Sequence, residues 1–484
     1  MTLRKPWAMP RVGPVAWALL PSFVADAVRP DRKPETYRMH PTSYLDGLRG
    51  IASFIVFIYH YTEPNHGYFV PTYGLNAGRP SAFLQLPFVR AIYAGRPMVH
   101  IFFVISGFVL AYKPLKSIHQ GAGGQEKCYA ALASSTFRRP IRLFLPCVVS
   151  TFLIAILMQL GLAYAPEPSL WVALKKWVSG VFYKVCWPWD WDHEAWPPYD
   201  LHLWTIPIEF SHSLLLFLGI MATSRLYVRV RQAFFVAVMV YGLACGRWAM
   251  IEFFGGMVLA ERHILRSMRT DAVLEDVRWT RRTARSTAKT IFQVFVIIAG
   301  LYVGGWPNVD ADKTWGIAFL NSITPPSFLG GDMPQRLWFA VFAILIVWSC
   351  GELAMARRFL EGGFAQYCGR VSYAIYIVHG PILEMCQNRV IGLPHVAQKG
   401  QPGEAGFVPA IQGYGVKGIF GHDTPTQQML SWFVALVALF PIVVWGSDLF
   451  WRFVDVPVVA LGRTVENMCL GLDTSKEREG YAPM

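Results

Sequence analysis

Charge is scarce in this chain. Only 15% of its 484 residues are Asp, Glu, Lys or Arg, while 54% are hydrophobic. A soluble domain carries about a quarter charged residues. The length alone would suggest about three soluble domains; the apolar excess points instead to one polytopic membrane bundle. Paired cysteine spacings are also absent. The eight cysteines, at 128, 147, 186, 245, 350, 368, 386 and 469, form no C-x-x-C, and several sit in apolar runs. That argues against a disulfide framework and against a zinc site, so no metal is expected. There is no N-x-[ST] acceptor and no internal repeat of transporter type. No recognised nucleic-acid motif accompanies the net charge of +13. Nucleic acid is therefore not an expected partner, because membrane proteins concentrate Lys and Arg in their cytoplasmic loops.

What the chain has is apolar runs. Ten candidate spans lie near 47–63, 97–113, 141–163, 203–221, 232–245, 248–263, 291–306, 335–355, 371–391 and 429–451. The fifth and sixth are short enough to form one broken or re-entrant element. With the N-terminus inside, about 31 of the 44 Lys and Arg residues fall on inside segments. This supports ten spans in a lipid bilayer with both termini cytosolic. Residues 1–42 read as a cytosolic, partly interfacial leader, since prolines and Arg11 interrupt its apolar stretch. Residues 43–463 form the membrane domain and 464–484 a polar tail. Two outer connections are long: 164–202, rich in tryptophan, and 392–428, rich in Gly and Pro.

The first span carries two residues that are costly in a membrane. Arg49 stands near its start and His60 near its far end, with mostly apolar sequence between. Ionisable residues inside spanning helices are functional-site candidates. Eleven residues make roughly three turns, so both side chains share one face, about 16 Å apart. In the second span, the small pair Ser106-Gly107 permits close approach of another backbone. Arg138, Arg139 and Arg142 open the third span, and a cation cluster at a helix N-terminus suits phosphate. Glu209 lies in apolar sequence after Trp204 and needs a partner, either an imidazole or an arginine. His379 is a second intramembrane histidine. The contiguous run Asp190-Trp-Asp-His-Glu194 is a poor metal cluster, because neighbouring side chains do not easily converge in an extended loop.

In order along the chain, these segments resemble acyltransferase family 3, the integral membrane O-acyltransferases, and its fungal branch in particular. Arg49 and His60 match the R-x10-H signature, preceded by Leu45-Asp46-Gly47-Leu48. Phe102 to Phe108 is similar to the F-F-V-[LI]-S-G-F segment, and Arg138 to Pro146 to the basic R-R-x-x-R-L-x-x-P. Trp204 to Glu209 is similar to W-[ST]-[IL]-x-x-E, and Phe254-Gly-Gly-Met257 to a later glycine motif. Gly369 to Pro381 resembles the helix ending in H-x-P, and Asp455-Val-Pro457 the terminal [ED]-x-P. One departure stands out: where fungal members continue Phe-Arg-Gly-Ser, this chain reads Phe210-Ser-His-Ser213.

The resemblance implies an all-α enzyme that moves an acyl group from acyl-CoA, a co-substrate rather than a cofactor, to a hydroxyl. The acceptor would be a small molecule, such as a secondary metabolite, or a sugar. An imidazole titrating near neutrality suits removal of the hydroxyl proton. His60 is the expected base, with Glu209 orienting its ring and Arg49 also at the catalytic centre. Arg138, Arg139 and Arg142 would grip coenzyme A phosphates. Asp46, Ser106, Tyr376 and His379 are further site candidates. The endoplasmic reticulum or another endomembrane fits such a protein. The main rival is a transporter whose His, Glu and Arg form a proton relay. A second is a membrane-bound O-acyltransferase of the unrelated type, with a lone buried His.

Overall fold

A computed structural model describes residues 14–28, 39–187, 196–273, 283–386, 390–392 and 415–472; no strand occurs among them. The helices that build the bundle are α1 (Ser43–Asn65), α2 (Arg96–Ile118), α3 (Gly124–Gln159), α4 (Thr205–Thr223), α5 (Val228–Ala244), α6 (Trp248–Val273), α7 (Thr283–Gly304), α8 (Met333–Glu352), α9 (Gly363–Cys386), α10 (Pro425–Phe450) and α11 (Val456–Cys469). Each expected span overlaps one of these helices, although α3 begins well before residue 141 and α6 runs past 263. Among the described residues, six stretches are long and apolar enough to cross a membrane on their own, namely those of α2, α3, α4, α7, α8 and the α10–α11 run. The chain is an all-α, multi-pass integral membrane protein. The remaining long helices carry polar groups that the bundle buries, such as Glu252 and Glu261 on α6 and His379 on α9.

The fifth and sixth runs are two helices, not one broken element. Gly246 takes φ +69° between them, a left-handed turn that glycine adopts without a Cβ penalty, and α6 folds back on α5. Lipid tails are as apolar as leucine, so helices in a bilayer associate through close packing rather than hydrophobic exclusion. Ser106-Gly107 serves that end. A Cβ at Gly107 would lie 2.1 Å from the Phe253 carbonyl oxygen, and one at Gly256 2.1 Å from that of Val104. The α1–α9 contact is equally tight, with Gly50 on the Gly369 backbone.

Two polar fastenings hold the bundle elsewhere. Arg231 of α5 is buried and donates through Nε to Glu261 Oε1 at 2.9 Å, while His119 at the end of α2 reaches the same oxygen at 3.1 Å. One carboxylate thereby ties three helices. The described part of the leader packs on the bundle through two short helices, Pro14–Leu19 and Ser22–Val28. Ser22 Oγ donates to the buried Asp448 at 2.6 Å, and Trp445 Nε1 donates to the Leu19 carbonyl at 2.7 Å. At the other end, α11 runs past residue 463 to Cys469, so the expected tail boundary falls inside a helix. None of the eight cysteines forms a disulfide among the described residues.

Candidate active site

One stripe of α9 organises the site. Gly369, Ser372, Tyr373, Tyr376 and His379 recur every three or four residues, which is one face of a helix. Arg49 of α1 meets the first part of the stripe. Its Nε donates to Ser372 Oγ at 2.9 Å, and its Nη2 donates to the Gly369 carbonyl and to Asp46 Oδ1, both at 3.1 Å. His60 meets the last part, its ring centroid 5.2 Å from that of His379. Both α1 side chains therefore face α9, as the eleven-residue spacing predicts.

A cavity of about 890 Å³ opens beside the Arg49 end, between α2, α3, α4, α9 and α11. Arg49, Arg139, Arg142, Arg370 and Arg463 line it, against the carboxylates Glu209 and Asp455. Ser106 contributes from α2, next to the apolar side chains Val99, Phe102 and Val109. The cavity stops at a hydroxyl pair. Thr205 Oγ1 lies 2.6 Å from the Tyr376 hydroxyl, which donates to the His202 carbonyl. His60 is not among the lining residues; it lies beyond that pair.

There three histidines meet. The His202 ring stands edge-on to His60 at 4.2 Å between centroids and lies 4.7 Å from His379. His202 sits in a 3-10 turn, Leu201–Trp204, capped by the fully buried Asp200. Asp200 Oδ1 accepts from His202 Nδ1 at 2.7 Å and from the His202 backbone N–H at 3.0 Å. His379 is fully buried, with Nδ1 2.9 Å from the Ile375 carbonyl.

The acyltransferase family 3 profile, whose description is "Acyltransferase domain", matches residues 42–452. The chain belongs to this family. Membership makes it an acyltransferase acting on groups other than aminoacyl groups, and sets aside the transporter reading. Three fungal relatives agree. The O-acetyltransferase PaAT-1 of Phomopsis amygdali is 32% identical over 412 residues, covering 78% of this chain and 79% of its own. Acyltransferase R4 of a Phoma species is 24% identical over 466 residues, 86% of this chain and 94% of its own. Acyltransferase clz18 of Cochliobolus lunatus is 26% identical over 398 residues, 70% and 82%. No solved structure matches.

The family 3 segments do not all converge as the sequence suggests. Arg138, Arg139 and Arg142 are not at a helix N-terminus, because α3 begins at Gly124 and runs straight through Pro140 and Pro146. The cluster also divides. Arg138 turns away from the cavity, its Nε 3.0 Å from Glu466 of α11. Arg139 pairs with Glu209, both side chains largely buried. Glu209 thus takes the arginine of its two expected partners, and His60 has histidines beside it instead. Arg142 forms no ion pair among the described residues and stays open to the cavity. His212 bonds to the Ile208 carbonyl at 2.9 Å and packs on Phe253, so it does not stand in for the missing arginine at the cavity. Asp190 to Glu194 lie outside the described residues.

The site gains Asp200, His202, Arg370 and Arg463, which the sequence did not single out, and Asp455, which entered only as part of the terminal [ED]-x-P segment. A signal existed for the first pair: Asp-x-His at the mouth of an apolar run places a carboxylate where it can hold an imidazole Nδ1–H. Gly380 is part of that arrangement, since a Cβ there would sit 2.4 Å from His202 Nδ1. Gly380→Ala is expected to push the ring off Asp200 and to slow acyl transfer about 10²-fold, the usual cost of a misplacement near 1 Å. Initial rates of the purified variant, set beside its melting temperature, check this.

Proposed function

We propose that this acyltransferase transfers an acyl group from acyl-CoA to a hydroxyl of a small molecule or glycan, with His60 as general base. The observation that carries the reading is the cavity: five arginines at one end of the α9 stripe, and His60 beyond the Thr205–Tyr376 pair at the other. Arginines offer forked, permanently charged donors to phosphate. Arg142 and Arg49 are the best placed to hold the nucleotide end, joined by Arg370 and Arg463. Arg139 has a buried Nε with no hydrogen-bond partner among the described residues. The acyl-bearing arm then lies along α9 toward the hydroxyl pair.

The acceptor approaches from the opposite side, where His60 and His202 are both partly exposed. Its hydroxyl oxygen attacks the thioester carbonyl as His60 takes the proton. Collapse of the tetrahedral adduct breaks the C–S bond, and the leaving thiolate takes that proton back from the imidazolium. The O-acetyl transfer in the name of the Phomopsis relative is the same reaction class. The positive-inside balance supports an arginine end facing the cytosol, where coenzyme A is available.

A binding measurement tests the donor half without knowing the acceptor. Free coenzyme A is expected to raise the melting temperature of the purified full-length protein in a concentration-dependent way. Arg142→Met should weaken that binding about tenfold or more, the worth of a charged hydrogen bond. Equal shifts in wild type and variant would remove Arg142 from the donor site, and no shift in either would overturn acyl-CoA as donor.

A further inference from the structure

We propose that His60, His202 and His379 form a site for one divalent transition-metal ion of the zinc type, whose occupancy excludes proton abstraction by His60. The three residues come from α1, the Leu201–Trp204 turn and α9. Each offers a ring nitrogen, and these nitrogens all lie within 4.8 Å of one another.

Hydrogen bonding settles which nitrogens can bind. Asp200 only accepts, so His202 Nδ1 carries the proton and its Nε2 holds a lone pair. The Ile375 carbonyl likewise fixes the proton of His379 on Nδ1. His379 Nε2 is then a bare acceptor, fully buried and without a partner among the described residues. An orphaned acceptor in the interior is costly. Here that orphaned acceptor lies beside two further imidazoles, an arrangement that a shared cation relieves.

The donor set selects the cation. Neutral imidazoles suit zinc, copper and nickel, whereas calcium and magnesium need oxygen ligands. Three histidines with a fourth position open make a familiar zinc geometry, with zinc–nitrogen distances of about 2.0–2.1 Å. Ligating histidines usually have the other ring nitrogen tied to a carboxylate or backbone carbonyl, and Asp200 and Ile375 already do this. The ion can arrive from the side on which His60 and His202 are partly exposed; the His202 side chain is 21% accessible. The metal takes the His60 lone pair, the same pair that would accept a proton. The exclusion clause rests on the acyl-transfer reading; the binding clause does not.

The untagged full-length protein, stripped with chelator, is titrated with Zn²⁺ by calorimetry and with Co²⁺ by visible absorption. The expected result is one tight equivalent and the absorption of a tetrahedral cobalt–imidazole centre. His379→Gln and His202→Ala should each weaken binding at least tenfold. Asp200→Asn should do so by 10–100-fold, and His212→Ala, outside the trio, should leave it intact. Zn²⁺ should inhibit acyl transfer at the concentration that fills the site, with chelator restoring the rate. No saturable equivalent, or binding unchanged in all three trio and Asp200 variants, overturns the site. Zinc-stimulated turnover overturns the exclusion. A protein that binds the metal yet shows no transferase activity when stripped of it would fell the acyl-transfer reading and leave the site standing; transfer indifferent to zinc in a protein that binds none would fell the site alone. His379→Gln is nearly isosteric, so a folding failure in His202→Ala does not decide the matter.

Discussion

His60→Ala should lower acyl transfer by about 10³-fold, within the range a positioned general base supplies, while leaving the protein folded. Two features separate this outcome from general damage. The His60 ring stands edge-on to His202 at 4.2 Å and tilted to His379 at 5.2 Å between centroids, and it is not part of the buried apolar core. Melting temperature in detergent should therefore stay close to that of wild type. The donor end is also untouched, because Arg49 and the cavity arginines lie at the other end of the α9 stripe. The loss should fall on kcat, with KM for acyl-CoA unchanged, the pattern of an interaction made only in the transition state. Retention of more than about a tenth of wild-type turnover is incompatible with a 10²–10⁴-fold contribution and would remove His60 as base.

The Arg139–Glu209 pair should show the largest stability effect. Its side chains are only 10% and 14% accessible. Removing one partner leaves a charge stranded, at about 3–5 kcal/mol for a buried pair, whereas replacing both with apolar groups is often neutral. Arg139→Met and Glu209→Leu are each expected to melt well below wild type. The double variant should recover most of that loss. Its melting temperature, compared in one double-mutant cycle, isolates the coupling. Acyl transfer should not recover with it, because the double variant still lacks an arginine that lines the cavity. Recovery of activity along with stability would make the pair a structural fastening only.

How much of this was legible depends on where the information sits. The shared face of Arg49 and His60 is local periodicity, and a spacing of eleven residues shows it directly. The close approach at Gly107 is local too, since two small residues interrupt a run of large ones. The start of α3 was not legible. Pro140 and Pro146 look like breakers and residues 124–137 are too polar to read as a span, yet the helix runs through both prolines. Membrane helices tolerate proline where neighbours satisfy the freed backbone groups. The histidine cluster was out of reach for a different reason. His202 and His379 are 177 residues apart, and nothing in either segment names the other. Glu209 shows the intermediate case: burial in apolar sequence demanded a partner, and only the fold could choose Arg139 over an imidazole. Arg370 and Arg463 counted merely as positive-inside charge until two helices turned them into one cavity wall.

Helix α9 is also a ruler. Ser372, which holds Arg49, and His379, which meets His60, are seven residues apart on one rigid rod, about 10 Å at 1.5 Å per residue. A ruler of fixed length can select a donor whose reactive carbon stands a set distance from its phosphates. It is blind to whatever follows that carbon. On the proposed reading every acyl-CoA donor shares the same arm, so the rod would admit them all equally. Choice among acyl chains then passes to the apolar wall of the cavity, where Val99, Phe102 and Val109 stand.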